Sequence, residues 1–182
     1  MAGLTDLTEL RLDSNQISDI IAVAGLTGLT SLDLYNNEIS DISAVAGLTG
    51  LTELWLSFNQ IGDISAVAGL TGLAELRLSS NQIGDISAVA GLTGLTELRL
   101  AGNQISDIKP IVDNTGIGSG DTVELYEIYS EEGNPLSTTS CTVYIPQLLN
   151  REVTVEHDCH KTYGYNSIHM IFSGQAESKG EK

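Results

Sequence analysis

Glu53, Glu75 and Glu97 recur every 22 residues in the motifs "ELW", "ELR" and "ELR". On adjacent strands their carboxylates would stand about 4.8 Å apart, close enough for one to act as acid and the next as base. A second file, Asp19, Asp41, Asp63, Asp85 and Asp107, has the residue type that binds calcium. Near the end, "EHDCH" offers His157, Asp158, Cys159 and His160 as metal ligands. Gly116–Gly120 is glycine-rich in the manner of a phosphate loop.

Each of these chemistries lacks a component. The repeated part contains no His and no Cys, so its many Ser and Thr hydroxyls have no base beside them. The Glu column would lie on an open surface with no pocket to desolvate it, and reads as a solvated acidic column. Each Asp precedes an "IxxV" turn, where a carboxylate caps helical N–H groups, which accounts for every copy without a metal. No second ligand cluster matches "EHDCH". The Gly-rich stretch has no Lys and the wrong glycine spacing, so it reads as a connection. The expectation is no catalytic set, no metal and no cofactor.

The elements that carry these residues follow from the repeat itself. Five units align without a gap: Gly3–Ala24, Gly25–Ala46, Gly47–Ala68, Gly69–Ala90 and Gly91–Val112. In the first, Leu10 and Leu12 are two apart, the period of a strand with one buried face. Ile17, Ile20 and Val23 are three apart, the period of a tight helical turn. One such unit cannot bury its own apolar face. Stacked units share a continuous core, so residues 1–112 predict a solenoid with a parallel sheet on one side. Asn15, Asn37, Asn59, Asn81 and Asn103 each follow the strand and can bond to loop backbone that would otherwise be buried unpaired.

Residues 113–160 depart from the register. Val123 and Leu125 predict a sixth strand near Thr122–Tyr126. The repeat then requires an Asn at 128, where Ile128 stands, and the Asn arrives six residues late as Asn134. A loop inserted near 127–133 accounts for the delay and would carry Tyr129, Glu131 and Glu132 beside the sheet. "STTSCTVYIPQLLN", apolar at Val143, Ile145, Leu148 and Leu149, predicts a helix starting near Ser137, and "EVTVEHDC" a last strand. In the tail, residues 161–182, "SIHMIF" suggests an edge strand or a segment packed on the cap.

The chain has 24 acids against 8 bases, a net charge of −16, spread over both halves. Such a charge argues against binding a nucleic-acid backbone or an anionic membrane surface. No apolar run is long enough to span a membrane. No signal peptide is visible, so either the native start lies upstream of Met1 or the chain is intracellular.

The skeleton "LxxLxLxxNxIxDI" resembles the leucine-rich repeat, and the 22-residue form is similar to the bacterial internalin-like class. The resemblance covers residues 3–112. It implies an α/β solenoid with a curved parallel sheet on the concave side, short 3-10 turns on the convex side and an irregular C-terminal cap. It also implies ligand binding, usually to a protein, and an extracellular or cell-surface location. Extracellular members commonly staple their caps, which favours a disulfide between Cys141 and Cys159 over two buried free thiols.

Comparison between units marks the candidate ligand surface. With Leu51 as position 1, positions 4 and 6 are expected to point inward, 3, 5 and 7 outward, and 8 to lie at the rim. Four of the six changes from the second unit to the third fall at 3, 5, 7 and 8: Ser31 to Glu53, Asp33 to Trp55, Tyr35 to Ser57 and Asn36 to Phe58. The repeats hold three aromatics, Tyr35, Trp55 and Phe58, all at outward positions, and Arg11, Arg77 and Arg99 all occupy position 5. Clustered exposed aromatics mark contact sites, and Trp, Tyr and Arg dominate interface hot spots. The expected ligand surface is therefore Arg11, Asp33, Tyr35, Trp55, Phe58, Arg77 and Arg99, facing a protein or a surface glycan. A stalk or spacer, whose near-identical coils only set length, is the competing reading. An engineered consensus array is a third, and an enzyme comes last.

Overall fold

The computed structural model describes residues 6–127 and 132–159. In each repeat the inward leucine pair enforces a strand of three residues: β1 (Glu9–Arg11), β2 (Ser31–Asp33), β3 (Glu53–Trp55), β4 (Glu75–Arg77) and β5 (Glu97–Arg99). The degenerate region adds β6 (Thr122–Glu124), a short pair β7 (Tyr126–Glu127) and β8 (Glu132–Gly133), and β9 (Thr154–Glu156). Seven strands form one parallel sheet in the order β1-β2-β3-β4-β5-β6-β9. Register is set by the central apolar residue of each strand: Leu54 faces Leu32 on one side and Leu76 on the other. The far side carries single 3-10 turns such as Ser43–Val45 and Ser65–Val67. The fifth coil ends in α1 (Lys109–Asp113), with Pro110 in its first turn, where its missing N–H costs nothing.

Between sheet and turns the apolar rows stack coil on coil. Leu54, Leu56, Ile61, Ile64, Val67 and Leu70 are buried in the third coil, and their copies continue the core in both directions. In the first coil Leu7, Leu10, Leu12 and Ile17 are only partly buried, because β1 has a neighbouring strand on one side alone among the described residues.

The Asn column ties each coil to the one before it. Asn81 Nδ2 donates to the carbonyls of Leu56 and Leu78, each at 3.0 Å, and its Oδ1 accepts the N–H of Ile61. Asn37, Asn59 and Asn103 repeat this pattern, while Asn15, in the first coil, is exposed and donates only within its own loop. Asn134 completes the ladder: it donates to Leu100 and Leu125 and accepts from Ile105 N–H. The six extra residues are accommodated by an antiparallel β7–β8 hairpin that returns the chain to register. Tyr126 belongs to this hairpin, not to the sixth strand. Tyr129 and Glu131 lie outside the described residues, and Glu132 is placed on β8.

The Asp column caps the turns. Each carboxylate accepts the N–H two residues ahead, as Asp63 does from Ser65 at 2.7 Å. These bonds favour the charged form. Hydrogen bonds from the Ser43 and Ser65 backbones, then from their hydroxyls, hold Asp41 and Asp63 below the ordinary 3.8. A carboxylate with a depressed folded pKa stabilises the fold above its unfolded pKa, and that contribution is lost as pH falls through the folded value. Stability should therefore drop below about pH 4. Asp63→Asn keeps the acceptor but cannot titrate, so its loss of stability between pH 7 and pH 3, read by urea titration, should be smaller than that of the wild type.

The cap is held by three devices. Gly116 passes so close to the Thr93 backbone that a Cβ would collide with it, and the Gly-rich stretch is indeed a connection between coils. Arg151 donates to the carbonyls of Val112, Asn114 and Ile117, which otherwise lack a strand partner. The helix over 138–150 contains a π-form segment, Ser140–Tyr144, and continues as α2 (Ile145–Asn150). Pro146 lies inside it with no N–H to donate, and the turn before it is widened. Ile145 and Leu148 are buried as expected, but Val143 is 42% exposed, because the widened turn rotates it away from the core.

Cys141 and Cys159 form a disulfide across this cap, with Cα atoms 5.6 Å apart. The sequence separation is 18, and closing a loop of that length is worth about 3 kcal/mol in the chain-entropy account. Cys141→Ser should lower the urea midpoint accordingly, and reductant should then have no further effect. The candidate metal group loses Cys159 to this bond, His160 lies outside the described residues, and no cluster of three or more ligating side chains occurs among the described ones.

Candidate functional site

The sheet register brings the position-5 residues into one file: Arg11, Asp33, Trp55, Arg77, Arg99, Glu124 and Glu156. Parallel strands in register stack side chains of equal position, so coils 2–5 do bring their predicted residues together. The environments of these residues differ from expectation in four ways.

Asp33 does not present itself to a ligand. It is 8% exposed, and its Oδ1 accepts the N–H of Tyr35 at 3.0 Å. Flanked by larger neighbours, it fixes the turn that carries Tyr35.

In the Glu column, Glu75 and Glu97 are paired with arginines, while Glu53 accepts the Ser31 hydroxyl at 2.9 Å. Arg77 Nε contacts the Glu75 carboxylate and lies 3.5 Å from Glu97. Arg99 Nε lies 2.5 Å from Glu97, and Arg99 Nη1 lies 3.6 Å from Glu124. Burial works against the Arg99 charge, but the Glu97 bond and the fields of Glu97, Glu124 and Glu75 raise its pKa above the ordinary value. Arg11 pairs with Glu9 at 2.6 Å, both well exposed. The sequence signal was present: "ELR" occurs at Glu9, Glu75 and Glu97, and two residues along a strand share a face.

Position 7 does not keep the strand period. The strand ends at position 5 and the chain turns, so Ser57, Ser79 and Ala101 are buried. Ser57 Oγ accepts the N–H of Ser79. Tyr35 is too large for that space, and its ring lies 40% exposed.

Position 8 carries a backbone requirement. Ser14, Asn36, Phe58, Ser80 and Gly102 all have positive φ, between 54° and 64°. Gly and Asn tolerate that region, but for a bulky side chain it costs about 1–2 kcal/mol. Phe58 therefore stands where the fold disfavours it. Its ring is 41% exposed and meets Tyr35 edge-on, centroids 5.3 Å apart at 65°.

Trp55 is the less exposed anchor. Arg77 stacks over its ring, the guanidinium carbon 4.6 Å from the centroid. The ring is half-buried, and its Nε1 is enclosed without a hydrogen-bond partner. On the sheet face the exposed large apolar side chains among the described residues are thus Tyr35 and Phe58, backed by the Trp55–Arg77 stack; Ile21 and Val143 are exposed elsewhere, on a 3-10 turn and in the cap helix.

Residues 27–69 and 71–113 match the family model described as Leucine Rich repeats (2 copies), and residues 3–24 the model described as Leucine Rich repeat. The chain is a leucine-rich-repeat protein. This leucine-rich-repeat chain is similar to an internalin C2 from Listeria monocytogenes, with 36% identity and a TM-score of 0.68 over 84% of its length. A second internalin from the same organism, inlF, shows 27% identity, a TM-score of 0.62 and 84% coverage. A leucine-rich-repeat protein of Leptospira interrogans shows 29%, 0.70 and 82%. The chain spans 63%, 48% and 37% of these three, about half their length. Comparison with curated protein sequences gives no match. No described helix is long and apolar enough to cross a membrane.

Proposed function

We propose that this leucine-rich-repeat protein is a non-catalytic protein-binding module that acts outside the cell or at its surface. The observation that carries the reading is Phe58. A bulky aromatic is held in left-handed backbone, exposed and edge-on to Tyr35, where the neighbouring coils have Asn36 and Ser80. Backbone strain concentrates at functional sites because selection for contact outweighs its cost. The aromatic pair and the Trp55–Arg77 stack supply the residue types that dominate interface hot spots. The inserted loop, with Tyr129, Glu131 and Glu132, is proposed as a secondary contact. The internalin likeness and the stapled cap support the extracellular placement.

A screen of purified extracellular proteins supplies the ligand, and hydrogen exchange of the complex locates its footprint. Slowed exchange should centre on the amides around Tyr35, Trp55 and Phe58. Protection confined to the 3-10 turns would refute the reading, and absence of any ligand would favour a spacer.

A further inference from the structure

We infer that the free edge of β1 is a self-association site. Two copies of this chain pair their first strands antiparallel about a two-fold axis, with Leu10 opposite Leu10 and Glu9 opposite Arg11. The inference concerns the end of the solenoid and goes beyond the ligand-binding reading of coils 2 and 3.

The first coil shows apolar surface where the others are closed. Leu7, Leu10, Leu12 and Ile17 are half-buried. Their counterparts one coil on, Leu29, Leu32, Leu34 and Ile39, are at most 1% exposed. Ile21 is 68% exposed on the 3-10 turn of the same coil, at the position where the next three coils have Ser43, Ser65 and Ser87. Apolar surface gathered in one coil favours association, because burying it is the main driving force for contact.

The backbone of β1 offers the matching hydrogen-bond groups. The Thr8 carbonyl accepts from Thr30 N–H, and Leu12 N–H donates to the Asp33 carbonyl. Successive residues of a strand turn their backbone groups to opposite sides, so the N–H and C=O of Glu9 and Arg11 point away from β2. An edge of this kind is a template for another strand.

Charge identifies that strand. In the interior coils Arg77 lies between Glu75 and Glu97, and Arg99 between Glu97 and Glu124. Among the described residues Arg11 has one ion-pair partner, Glu9, because β2 has Ser31 in register with Glu9. A second copy supplies the missing carboxylate. In a two-fold pairing that keeps the core sides together, the axis can pass through Glu9, Leu10 or Arg11. Through Glu9 or Arg11 it sets like charges directly opposite, which is destabilising. Through Leu10 it sets Glu9 opposite Arg11 twice, and these are the residues whose N–H and C=O are turned outward. Each such pair then exchanges two hydrogen bonds, and Leu10 meets Leu10 as the close pair between them, about 4.5 Å apart at Cα. The net charge of −16 opposes the approach of two copies, but salt screens it beyond about 8 Å at physiological strength. A two-fold pairing also uses both β1 edges at once, whereas head-to-tail addition of β1 to β9 would leave an open edge at every step.

Sedimentation velocity of the full chain at physiological salt, over a series of concentrations, should show a monomer–dimer equilibrium. Arg11→Glu and Glu9→Arg each set like charges opposite across the axis, and each should raise the dissociation constant at least about 10-fold. An equimolar mixture of the two variants should restore the dimer. The double variant Glu9→Arg with Arg11→Glu should restore it too, since opposite charges face each other again. Rescue by mixing excludes misfolding as the cause of the loss. The amides of Glu9 and Arg11 should exchange more slowly as concentration rises. A chain that stayed monomeric at every concentration would overturn the inference and leave the ligand-binding reading standing. Dimers indifferent to both single variants would overturn it as well. Growth beyond the dimer would assign the edge to head-to-tail stacking instead, and a mixture that failed to associate would rule out the antiparallel register.

Discussion

Asn81→Ala should lower the stability of the chain by about 3–5 kcal/mol, because it strands three buried backbone groups at once. The lost side chain accepts from Ile61 N–H and donates to the carbonyls of Leu56 and Leu78. All three lie in the interior, where water cannot replace the missing bonds. Two of the three belong to the preceding coil, so the substitution weakens the interface between coils as well as the turn. In a solenoid, stability is approximately the sum of coil and interface contributions. A cut at the fourth coil should therefore loosen the chain toward its nearer end more than an equal cut at the edge. Asn15→Ala, at an exposed ladder residue with bonds only inside its own loop, should cost well under half as much. Urea titrations of the two variants check the contrast, and equal losses would show that the ladder is not what couples the coils.

Replacing the exposed pair, Tyr35→Ala with Phe58→Ala, should weaken binding of the ligand by about 2–4 kcal/mol, roughly 30- to 1000-fold. The two rings touch, so the single variants should not add up to the double one. Trp55→Ala should have a smaller effect than its size suggests. Its ring is half-buried under Arg77, and part of what it loses is the stack within the sheet. Calorimetry of the single and double variants separates these contributions. A near-native affinity in the double variant would remove the aromatic pair from the interface.

The sequence made the repeat legible because the fold demands the same apolar residue at the same place in every coil. Five copies of Leu, Asn and Ile leave no freedom about strand, ladder and turn. It even located Asn134, since a ladder position must be filled after however many inserted residues. Less visible were features that depend on what lies beside a residue in the neighbouring coil. Asp33 sits at an outward position but is covered by its neighbours, and no spacing within its own unit says so. The Arg–Glu network was readable from "ELR" in three coils, yet the acids read as solvated because their partners lie partly one coil away. Ser57 and Ser79 are buried because the strand ends early, which alternation alone cannot reveal.

Position 8 is the most instructive case. Its occupants Ser14, Asn36, Ser80 and Gly102 are turn residues, and Asn and Gly in particular announce a left-handed backbone. Seen as a surface site, Phe58 was one aromatic in a free position. Seen as a left-handed site, it is an aromatic kept against a conformational cost. That difference is what favours the proposed contact role over an incidental exposed ring.

Phe58→Asn therefore tests the account most directly, with stability and ligand affinity measured on the same preparation. Asn relieves the left-handed strain, so the urea midpoint should rise, by an amount worth about 1 kcal/mol. Affinity for the ligand should fall at least about 10-fold, because the ring that meets Tyr35 is gone. A variant that is both more stable and equally tight would contradict the claim that this coil was set apart for contact.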